Sequence, residues 1–280
     1  MPPTRGDADD QKQLWNGPAA SAWVDAQDTL DRMFKPFEDL LVEAVSAGGG
    51  RRVIDVGCGT GATTLALARA IGTSGLCTGI DVSEPMVAAA RARASREGVR
   101  VTFLCADAQS HAFAPGSADA LVSRFGVMFF ADPIRAFTNL RHAAVEGARM
   151  TLIAWRSPSE NAFMTAAERA AAPLLPALPP RQSGGPGQFA FADAERVRAI
   201  LDASRWADIT ITPVDVTCVL PEAELRGYVT RFGPVGRVLQ DVEEPIRTKV
   251  AHAVRDAFEP FVHGDEVRYT AACWMIGAVA

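Results

Sequence analysis

Three aspartates and a glycine-rich turn are the residues of this chain best suited to do chemistry. Asp55 lies in one short apolar run, Asp81 ends the next, and Asp107 follows a third. Carboxylates pair with an ammonium group and accept hydrogen bonds from hydroxyl and amine donors. Three of them beside one turn predict a ligand that carries an ammonium group, a ribose diol and an adenine.

The turn contains Gly57, Gly59 and Gly61, directly after the run that holds Asp55. Glycines let the backbone pass tightly from a strand into a helix, so that N–H groups face a ligand. The same spacing, with Ala62, satisfies a loose dinucleotide fingerprint, which makes an NAD(P)-dependent oxidoreductase an alternative. The Asp55 carboxylate opposes it, because it would repel a pyrophosphate, and the chain has no Tyr-x-x-x-Lys pair. We therefore predict S-adenosylmethionine as the ligand.

Each aspartate also has a structural interpretation. A single aspartate at a strand end is more often a turn or helix-cap residue than a ligand contact. Three at successive strand ends favour a ligand site, because ligands of open parallel sheets bind outside the carboxyl ends of the strands.

Short apolar runs alternate with helical patterns through the middle of the chain, which predicts a parallel sheet covered by helices on both faces. The predicted strands lie near 52–56, 76–81, 101–105, 119–123 and 149–155. Ser83 is expected to cap the helix after the second strand, and Asp132 to cap one that begins with Pro133. Two later segments, 208–219 and 267–279, also have strand character.

The chain divides into three predicted regions: an N-terminal helical region, an α/β core and a helical cap. Their bounds are 1–50 for the N-terminal region, 51–220 with 261–280 for the core, and 221–260 for the cap. In the N-terminal region, residues up to about 12 are expected to be loose and one helical segment runs from Leu14 to Ala47. Proline and glycine predict an extended loop at 173–187. The cap is far longer than a hairpin loop requires, so we expect it to cover the site.

Residues 51–156 resemble the core of a class I S-adenosylmethionine-dependent methyltransferase that acts on small molecules, of the ubiquinone-biosynthesis-like (methyltransferase type 11) group. Three motifs carry the resemblance: Val53-Ile54-Asp55-Val56-Gly57-Cys58-Gly59-Thr60-Gly61, Gly79-Ile80-Asp81-Val82-Ser83 and Cys105-Ala106-Asp107-Ala108-Gln109. It extends to Ser123-Arg124-Phe125-Gly126-Val127-Met128-Phe129-Phe130-Ala131-Asp132-Pro133 and to Leu14-Trp15-Asn16-Gly17-Pro18. The family implies a doubly wound, Rossmann-like, seven-stranded sheet with one antiparallel strand. It also implies that the N-terminal helical region, 1–50, folds over the site as a lid.

The resemblance also implies a set of cofactor contacts at the strand ends. These are Asp55, Gly57, Cys58, Gly59, Thr60, Gly61, Asp81, Val82, Met86, Asp107, Ala108, Gln109, Ser123, Arg124 and Phe125. The candidates for the acceptor pocket are Trp15, Trp23, Met128, Phe129, Phe189 and Arg231. Arg124 is a charged residue between a strand and an apolar loop, so it needs a partner. Either the cofactor carboxylate or a structural acid would serve.

The implied reaction is methylation of a small organic molecule at oxygen, nitrogen or carbon. Transfer from a sulfonium is an in-line displacement on an activated carbon, so the protein must mainly place the acceptor and exclude water. No catalytic residue is assigned, and a protein that binds S-adenosylmethionine without catalysis is a second alternative. The aromatic and methionine content of the expected pocket favours an apolar or aromatic acceptor.

Composition limits the partners and the cellular setting. A formal charge of -5 offers no basic face for phosphate backbones, so nucleic acid is not expected as a partner. The chain has no apolar run long enough for a signal sequence or a membrane span. Its five cysteines lack a CxxC pair and no residue cluster has metal-ligand spacing, which predicts a cytoplasmic protein with reduced thiols and no metal. A homodimer is left open.

Overall fold

Eight strands form one sheet in the computed structural model of the protein, which describes residues 5–179 and 185–280. They are β1 (Arg52–Val56), β2 (Leu76–Asp81), β3 (Thr102–Cys105), β4 (Ala118–Arg124), β5 (Ala144–Trp155), β6 (Ala207–Pro221), β7 (Val262–His263) and β8 (Glu266–Val279). Their order is β3-β2-β1-β4-β5-β8-β6, with β7 paired to β8 beside this path. The first five strands of that order are parallel, and β8 is antiparallel to both its neighbours. The predicted doubly wound sheet is confirmed, and β7 is a short addition.

The central strands are buried on both faces, which only helices on each side of the sheet can provide. In β1 every residue from Val53 to Val56 is buried. The helices are α1 (Arg5–Asn16), α2 (Pro18–Asp25), α3 (Gln27–Gly48), α4 (Ala62–Ile71), α5 (Glu84–Glu97), α6 (Pro133–Ala143), α7 (Ala162–Ala171), α8 (Ala194–Ala203), α9 (Glu222–Arg231), α10 (Gly233–Val238) and α11 (Glu244–Ala257). Single 3₁₀ turns lie at Val127–Phe129, Leu239–Asp241 and Glu259–Phe261.

Both predicted helix caps are confirmed. The Ser83 hydroxyl accepts a hydrogen bond from the Met86 amide at 3.4 Å at the start of α5. The Asp132 carboxylate accepts one from the Arg135 amide at 3.0 Å, with Pro133 as the first residue of α6. Each cap satisfies an amide that has no partner within its own helix.

The N-terminal region differs from its prediction in two ways. Helix α1 already begins at Arg5, where the sequence predicts loose chain to about residue 12, and residues 1–4 lie outside the described chain. The single predicted helical segment is also divided, because Gly17 is extended before Pro18. A residue before proline is disfavoured in the helical conformation, and proline at a first helical position starts a new helix. Helix α3 then ends at Gly48, as the glycine run predicts.

The hairpin of β6 and β8 extends past the parallel strands. The last residue of β5, Trp155, pairs with Cys273, whereas β8 continues to pair with β6 as far as Glu266 opposite Pro221. Because β8 is antiparallel, this extension lies beyond the carboxyl end of β5, on the side of the sheet where ligands bind in such folds. Helices α9 to α11 connect β6 to β8, so the predicted insertion lies at the carboxyl end of the parallel strands. The part of the predicted 173–187 loop that is described forms turns, and 180–184 lies outside the described chain.

Candidate functional site

The glycine turn joins β1 to α4 through three residues with positive φ, Gly57 at 70°, Gly59 at 53° and Gly61 at 87°. The Gly57 amide donates to the Ile80 carbonyl oxygen at 2.8 Å, which holds the turn against β2. A Cβ on Gly57 would lie 2.6 Å from Cα of Gly126. The turn is therefore in direct backbone contact with the loop after β4, and this packing requires glycine on both sides.

The space for a ligand lies over Gly59. A Cβ built there would have the Met86 sulfur as its one neighbour within 4 Å among the described residues, at 3.6 Å. The space beside Gly61 is filled by protein instead, since a Cβ on Gly61 would lie 2.8 Å from Cζ of the Phe103 ring. Backbone at Gly59 can thus approach a bound molecule, while Gly61 serves the packing of α4 and α5 against the sheet.

Asp81 is held in place by the backbone on both sides of it. Its Oδ2 accepts a hydrogen bond from the Gly59 amide at 2.8 Å, and its Oδ1 accepts one from the Ser83 amide at 2.9 Å. Each carboxylate oxygen retains a lone pair, so the fixed group can still accept from a diol. Burial raises the pKa of the Asp81 carboxyl, and the two amide hydrogen bonds oppose that shift.

Asp55 lies deeper than the sequence suggests. It is 1% exposed, and its Oδ2 accepts a hydrogen bond from the Thr64 hydroxyl of α4 at 2.6 Å. Burial raises the pKa of Asp55 to about 6, while the Thr64 hydrogen bond and the charge of Arg124 oppose the shift. A cationic group brought close to Asp55 would favour its charged form, so the position suits a ligand ammonium group.

This pKa predicts a pH-dependent stability for the ligand-free protein. The Asp55 carboxyl ionises near pH 3.9 when unfolded but at about 6 when folded. The contribution of Asp55 is therefore complete below the unfolded pKa and is lost as the pH rises through about 6. We expect the wild-type free energy of unfolding to fall by roughly 1.5 kcal/mol relative to Asp55→Asn between about pH 5 and pH 8. Urea unfolding of both proteins measures this; a constant difference across pH would contradict it.

The third aspartate shapes the loop after β3. Both oxygens of Asp107 accept hydrogen bonds from the Gln109 side-chain amide, at 3.1 and 3.2 Å, and Oδ1 also accepts one from the Gln109 backbone amide at 2.9 Å. The Gln109 Oε1 accepts in turn from the Asp132 amide at 2.7 Å, which links this loop to the start of α6. Asp107 itself is half-buried.

The end of β4 is organised by Ser123 and Phe125. Ser123 is fully buried; its hydroxyl donates to the Val56 carbonyl oxygen at 2.7 Å and accepts from the Gly126 amide at 3.1 Å. Phe125 has a φ of 67° and stacks on Trp155 with ring centroids 4.7 Å apart. Both side chains therefore point into the protein and hold the backbone of this loop against the glycine turn.

Arg124 lies between them with a half-buried guanidinium group. Its Nη1 donates to the Phe34 carbonyl oxygen at 3.5 Å, and its Cζ is 5.9 Å from the centre of the Phe34 ring. Within the described chain no ion pair joins Arg124 to a carboxylate. Burial raises the pKa values of Glu38 and Asp55, and the charge of Arg124 opposes both shifts. Most of its donors thus remain available for an anionic group at the carboxyl end of β4.

Four half-buried aromatic rings come together above this edge, and we call them the aromatic cluster: Trp15, Trp23, Phe129 and Phe232. Trp15 meets Phe129 edge to face, with centroids 5.0 Å apart, and Trp23 at 6.1 Å. Trp23 meets Phe232 at 5.7 Å. The four rings come from α1, α2, the loop after β4 and the segment between α9 and α10, so the cluster joins three distant parts of the chain.

The other acceptor candidates do not join this cluster. Met128 is 1% exposed, and its sulfur accepts a hydrogen bond from the Trp155 amide at 3.4 Å, which turns it into the core rather than towards a substrate. Phe189 is half-buried against the main core, and Arg231 is exposed at the end of α9. Of the remaining cofactor candidates, those that are buried are Cys58, Met86 and Ala108, and those that are half-buried are Thr60 and Val82.

Two residues of the site were not singled out by the sequence. Asn16, at the end of α1, donates from Nδ2 to the Val82 carbonyl oxygen at 3.1 Å and accepts at Oδ1 from the Glu84 amide at 3.0 Å. Phe232 closes the aromatic cluster from the insertion. The only signal for Asn16 was its place in the motif around Trp15, and Phe232 had none beyond its residue type.

The groups at this edge fit S-adenosylmethionine. Asp81 and Asp107 are the half-buried acceptors that a diol and an aromatic amine require, and Gly59 leaves room for the ligand between them and β4. Asp55 suits an ammonium group, and Arg124 suits a carboxylate. Among the described residues, no group of three or more His, Cys, Asp or Glu side chains is arranged to hold a metal ion.

Comparison with known proteins gives one consistent result. A family model described as a methyltransferase domain matches residues 53–147. The chain is similar to the demethylmenaquinone methyltransferase of Thermus thermophilus, with 32% identity over 194 residues that cover 64% of this chain and 87% of the relative. It is also similar to the aklanonic acid methyltransferase DauC of Streptomyces sp. strain C5, with 29% identity over 153 residues, 53% of this chain and 68% of the relative.

Solved structures show the same fold. The YcgJ protein of Bacillus subtilis superposes with a TM-score of 0.54 at 19% identity, over 85% of this chain and 97% of that protein. No helix in the described part of the chain is both long and apolar enough to span a bilayer.

Proposed function

Because this chain belongs to the class I S-adenosylmethionine-dependent methyltransferases, in the ubiquinone-biosynthesis-like group, we propose that it methylates an apolar or aromatic molecule held beneath its N-terminal helices. The enzyme transfers a methyl group from S-adenosylmethionine to a small organic molecule. Family membership sets aside both the nicotinamide-dependent oxidoreductase and the protein that binds the cofactor without catalysis. The finer assignments below concern which residues hold the two molecules.

We propose that the cofactor lies along the carboxyl ends of β3, β2, β1 and β4, in that order. Asp107 would accept from the adenine amine and Asp81 from the ribose diol. The turn from Gly57 to Gly61 would lie beneath the middle of the molecule. Asp55 and Arg124 would balance the charges of its amino acid end. The order of the strands supports this direction, because it places Asp107 and Asp81 on one side of the glycine turn and Arg124 on the other.

The observation that carries the acceptor proposal is the aromatic cluster. When bound, the cofactor supplies a methyl group activated by the positive charge on sulfur. The cluster lies above the end of β4, next to the proposed amino acid end, where that methyl group would be directed. Partly exposed rings at a cleft bind flat apolar molecules well, because they contribute a large contact area at low entropic cost. They also exclude water from the reacting atoms.

We propose that two parts of the chain cover the site. Residues 1–50 act as a lid and residues 221–260 as a cap over the core formed by 51–220 and 261–280. The two covers are joined to one another: Arg32 of α3 pairs with Glu224 of α9 at 2.8 Å, and Thr29 also hydrogen-bonds Glu224. With the ring contact between Trp23 and Phe232, this gives lid and cap two separate connections.

The proposal predicts a selective loss of acceptor binding in Trp15→Ala. With an aromatic acceptor identified by screening phenols and quinols against small amines and acids, its KM should rise roughly tenfold or more, because a buried aromatic contact is removed. The affinity for S-adenosylhomocysteine, measured by calorimetry, should change much less. Trp15→Phe keeps a ring and should retain most of the acceptor affinity. An unchanged KM in Trp15→Ala, or turnover of small charged acceptors alone, would contradict the proposal.

We propose further that the protein works in the cytoplasm and forms a homodimer. The first proposal is supported by its five unpaired cysteines, of which Cys105 alone is exposed. The second is supported by large apolar side chains on the surface, among them Leu76 and Ile134. Sedimentation equilibrium tests the homodimer, and a mass of one chain would exclude it.

A further inference from the structure

Asn16 connects the N-terminal helices to the loop that follows β2. Its side-chain amide spans a sequence separation of more than sixty residues to reach the Val82 carbonyl oxygen at 3.1 Å and the Glu84 amide at 3.0 Å. Glu84 is the first residue of α5, so its N–H has no partner within the helix. A primary amide can serve both groups at once because it offers a donor and an acceptor side by side.

The loop that Asn16 contacts is the one that carries Asp81. The Ser83 amide donates to Asp81 at 2.9 Å, and the Gly59 amide donates to the same carboxylate at 2.8 Å. The segment 81–84 is thus bound on one side to the glycine turn, through Asp81, and on the other to α1, through Asn16. A ligand that hydrogen-bonds Asp81 would further restrain this segment, which includes the two backbone groups that Asn16 uses.

The residue before Asn16 belongs to the aromatic cluster. Trp15 contacts Phe129 at 5.0 Å and Trp23 at 6.1 Å, and Gly17 immediately ends the helix. Asn16 is exposed, and its long-range hydrogen bonds both go to the 82–84 backbone, so burial in the core does not explain them. Because Asn16 follows Trp15 directly in α1, these hydrogen bonds hold the backbone from which the Trp15 ring extends.

We propose that Asn16 is a positioning residue that makes assembly of the acceptor pocket depend on the bound cofactor. This inference rests on the proposed function, since it takes Trp15 as an acceptor contact and Asp81 as a cofactor contact. Cofactor at Asp81 restrains segment 82–84, which holds Asn16 and so places Trp15. The two molecules therefore bind cooperatively. The coupling is reciprocal, so an acceptor against Trp15 tightens the hold on the cofactor by the same factor.

The test is amide hydrogen exchange of residues 10–25, with and without S-adenosylhomocysteine as the probe. In the wild type the probe should slow exchange in this segment roughly tenfold, because it stabilises the two hydrogen bonds between Asn16 and the 82–84 backbone. Asn16→Ala should still bind the probe by calorimetry but show no slowing. Asn16→Asp keeps the acceptor for the Glu84 amide and loses the donor to Val82, so it should show a partial effect. Gln13→Ala, an exposed amide on the same helix, should behave as the wild type.

The outcomes separate this inference from the proposed function. Equal slowing in Asn16→Ala and the wild type overturns the role of Asn16 and leaves the acceptor proposal untouched. No slowing in the wild type, despite binding of the probe, also overturns it. If the slowing depends on Asn16 but Trp15→Ala leaves the acceptor KM unchanged, the aromatic cluster is not the acceptor site, while the link between cofactor and lid is established.

Discussion

Replacing Gly57 with alanine destabilises the protein by roughly 3 kcal/mol or more and weakens binding of S-adenosylhomocysteine at least about tenfold. The left-handed φ of 70° alone disfavours a Cβ. In addition, that Cβ would lie 2.6 Å from Cα of Gly126, which is backbone and cannot rotate away. The turn must therefore move off the loop after β4, and the backbone amides that we propose face the cofactor move with it. Urea unfolding and calorimetric titration measure the two effects.

Gly98 is the matched control for this substitution. It ends α5 with a φ of 65°, and no atom of the described chain lies within 4 Å of the position that its Cβ would take. Gly98→Ala should therefore show the backbone cost alone, roughly 1 to 2 kcal/mol, with cofactor affinity unchanged. The excess of Gly57→Ala over Gly98→Ala isolates the contact between the two loops. Equal destabilisation by both substitutions would show that the turn can relax without that contact.

Replacing Asp81 with alanine should weaken binding of S-adenosylhomocysteine by about 1 to 3 kcal/mol, up to roughly 150-fold. Two losses combine in this variant. The diol of the ligand loses its charged acceptor, and the amides of Gly59 and Ser83 lose the carboxylate that orients them. Calorimetric titration measures the affinity directly.

Asp119 separates binding from general destabilisation. Its Oδ1 also accepts hydrogen bonds from two backbone amides, those of Arg51 and Arg52, both at 2.8 Å. It does so at the start of β1, on the opposite edge of the sheet from the site. Asp119→Ala should lower the free energy of unfolding as Asp81→Ala does, yet leave the cofactor affinity within about twofold of the wild type. Comparable loss of affinity in both variants would mean that Asp81 acts through stability alone.

The sheet and its helix starts were predictable because their signals are local. Alternation of apolar runs with helical patterns identified the strands that carry Asp55 and Asp81, and the capping positions of Ser83 and Asp132 follow from residue type within one helical turn. The number of strands and the presence of one antiparallel strand came from the family resemblance rather than from the residues. Long-range pairing of β8 between β5 and β6 has no local sequence signal.

The orientation of side chains after β4 was not predictable. A strand alternates its faces with a period of two, so Ser123 to Phe129 could be assigned to faces only if that period continued. Phe125 interrupts it with a φ of 67°, which re-aims the residues that follow. As a result Met128 turns into the core while Phe129 reaches Trp15. An aromatic residue in the left-handed region is uncommon, and the Trp155 stack that supports it is a tertiary contact.

The contact of Asn16 with the loop after β2 was not predictable for a related reason. An asparagine beside Gly17 and Pro18 looks like an ordinary helix-ending residue, and its local bond to the Lys12 carbonyl oxygen fits that role. Its other two bonds reach residues that only the folded chain brings near. The family resemblance therefore identified Trp15 as a candidate, whereas the hydrogen bonds that hold its helix in place were found only in the structure.

The hairpin of β6 and β8 also bears on how such enzymes diversify. Pro221 and Glu266 are register partners, and partners in antiparallel strands have Cα atoms about 5 Å apart. The segment 222–265 thus leaves and re-enters the sheet at adjacent points, so it can be lengthened, shortened or exchanged without shifting the strands below it. Evolution can therefore change the residues that cover the proposed acceptor pocket in one continuous stretch, while the proposed site of the methyl donor, formed by residues before 130, stays unchanged. Transplanting this stretch between relatives is accordingly a direct route to new acceptor preferences.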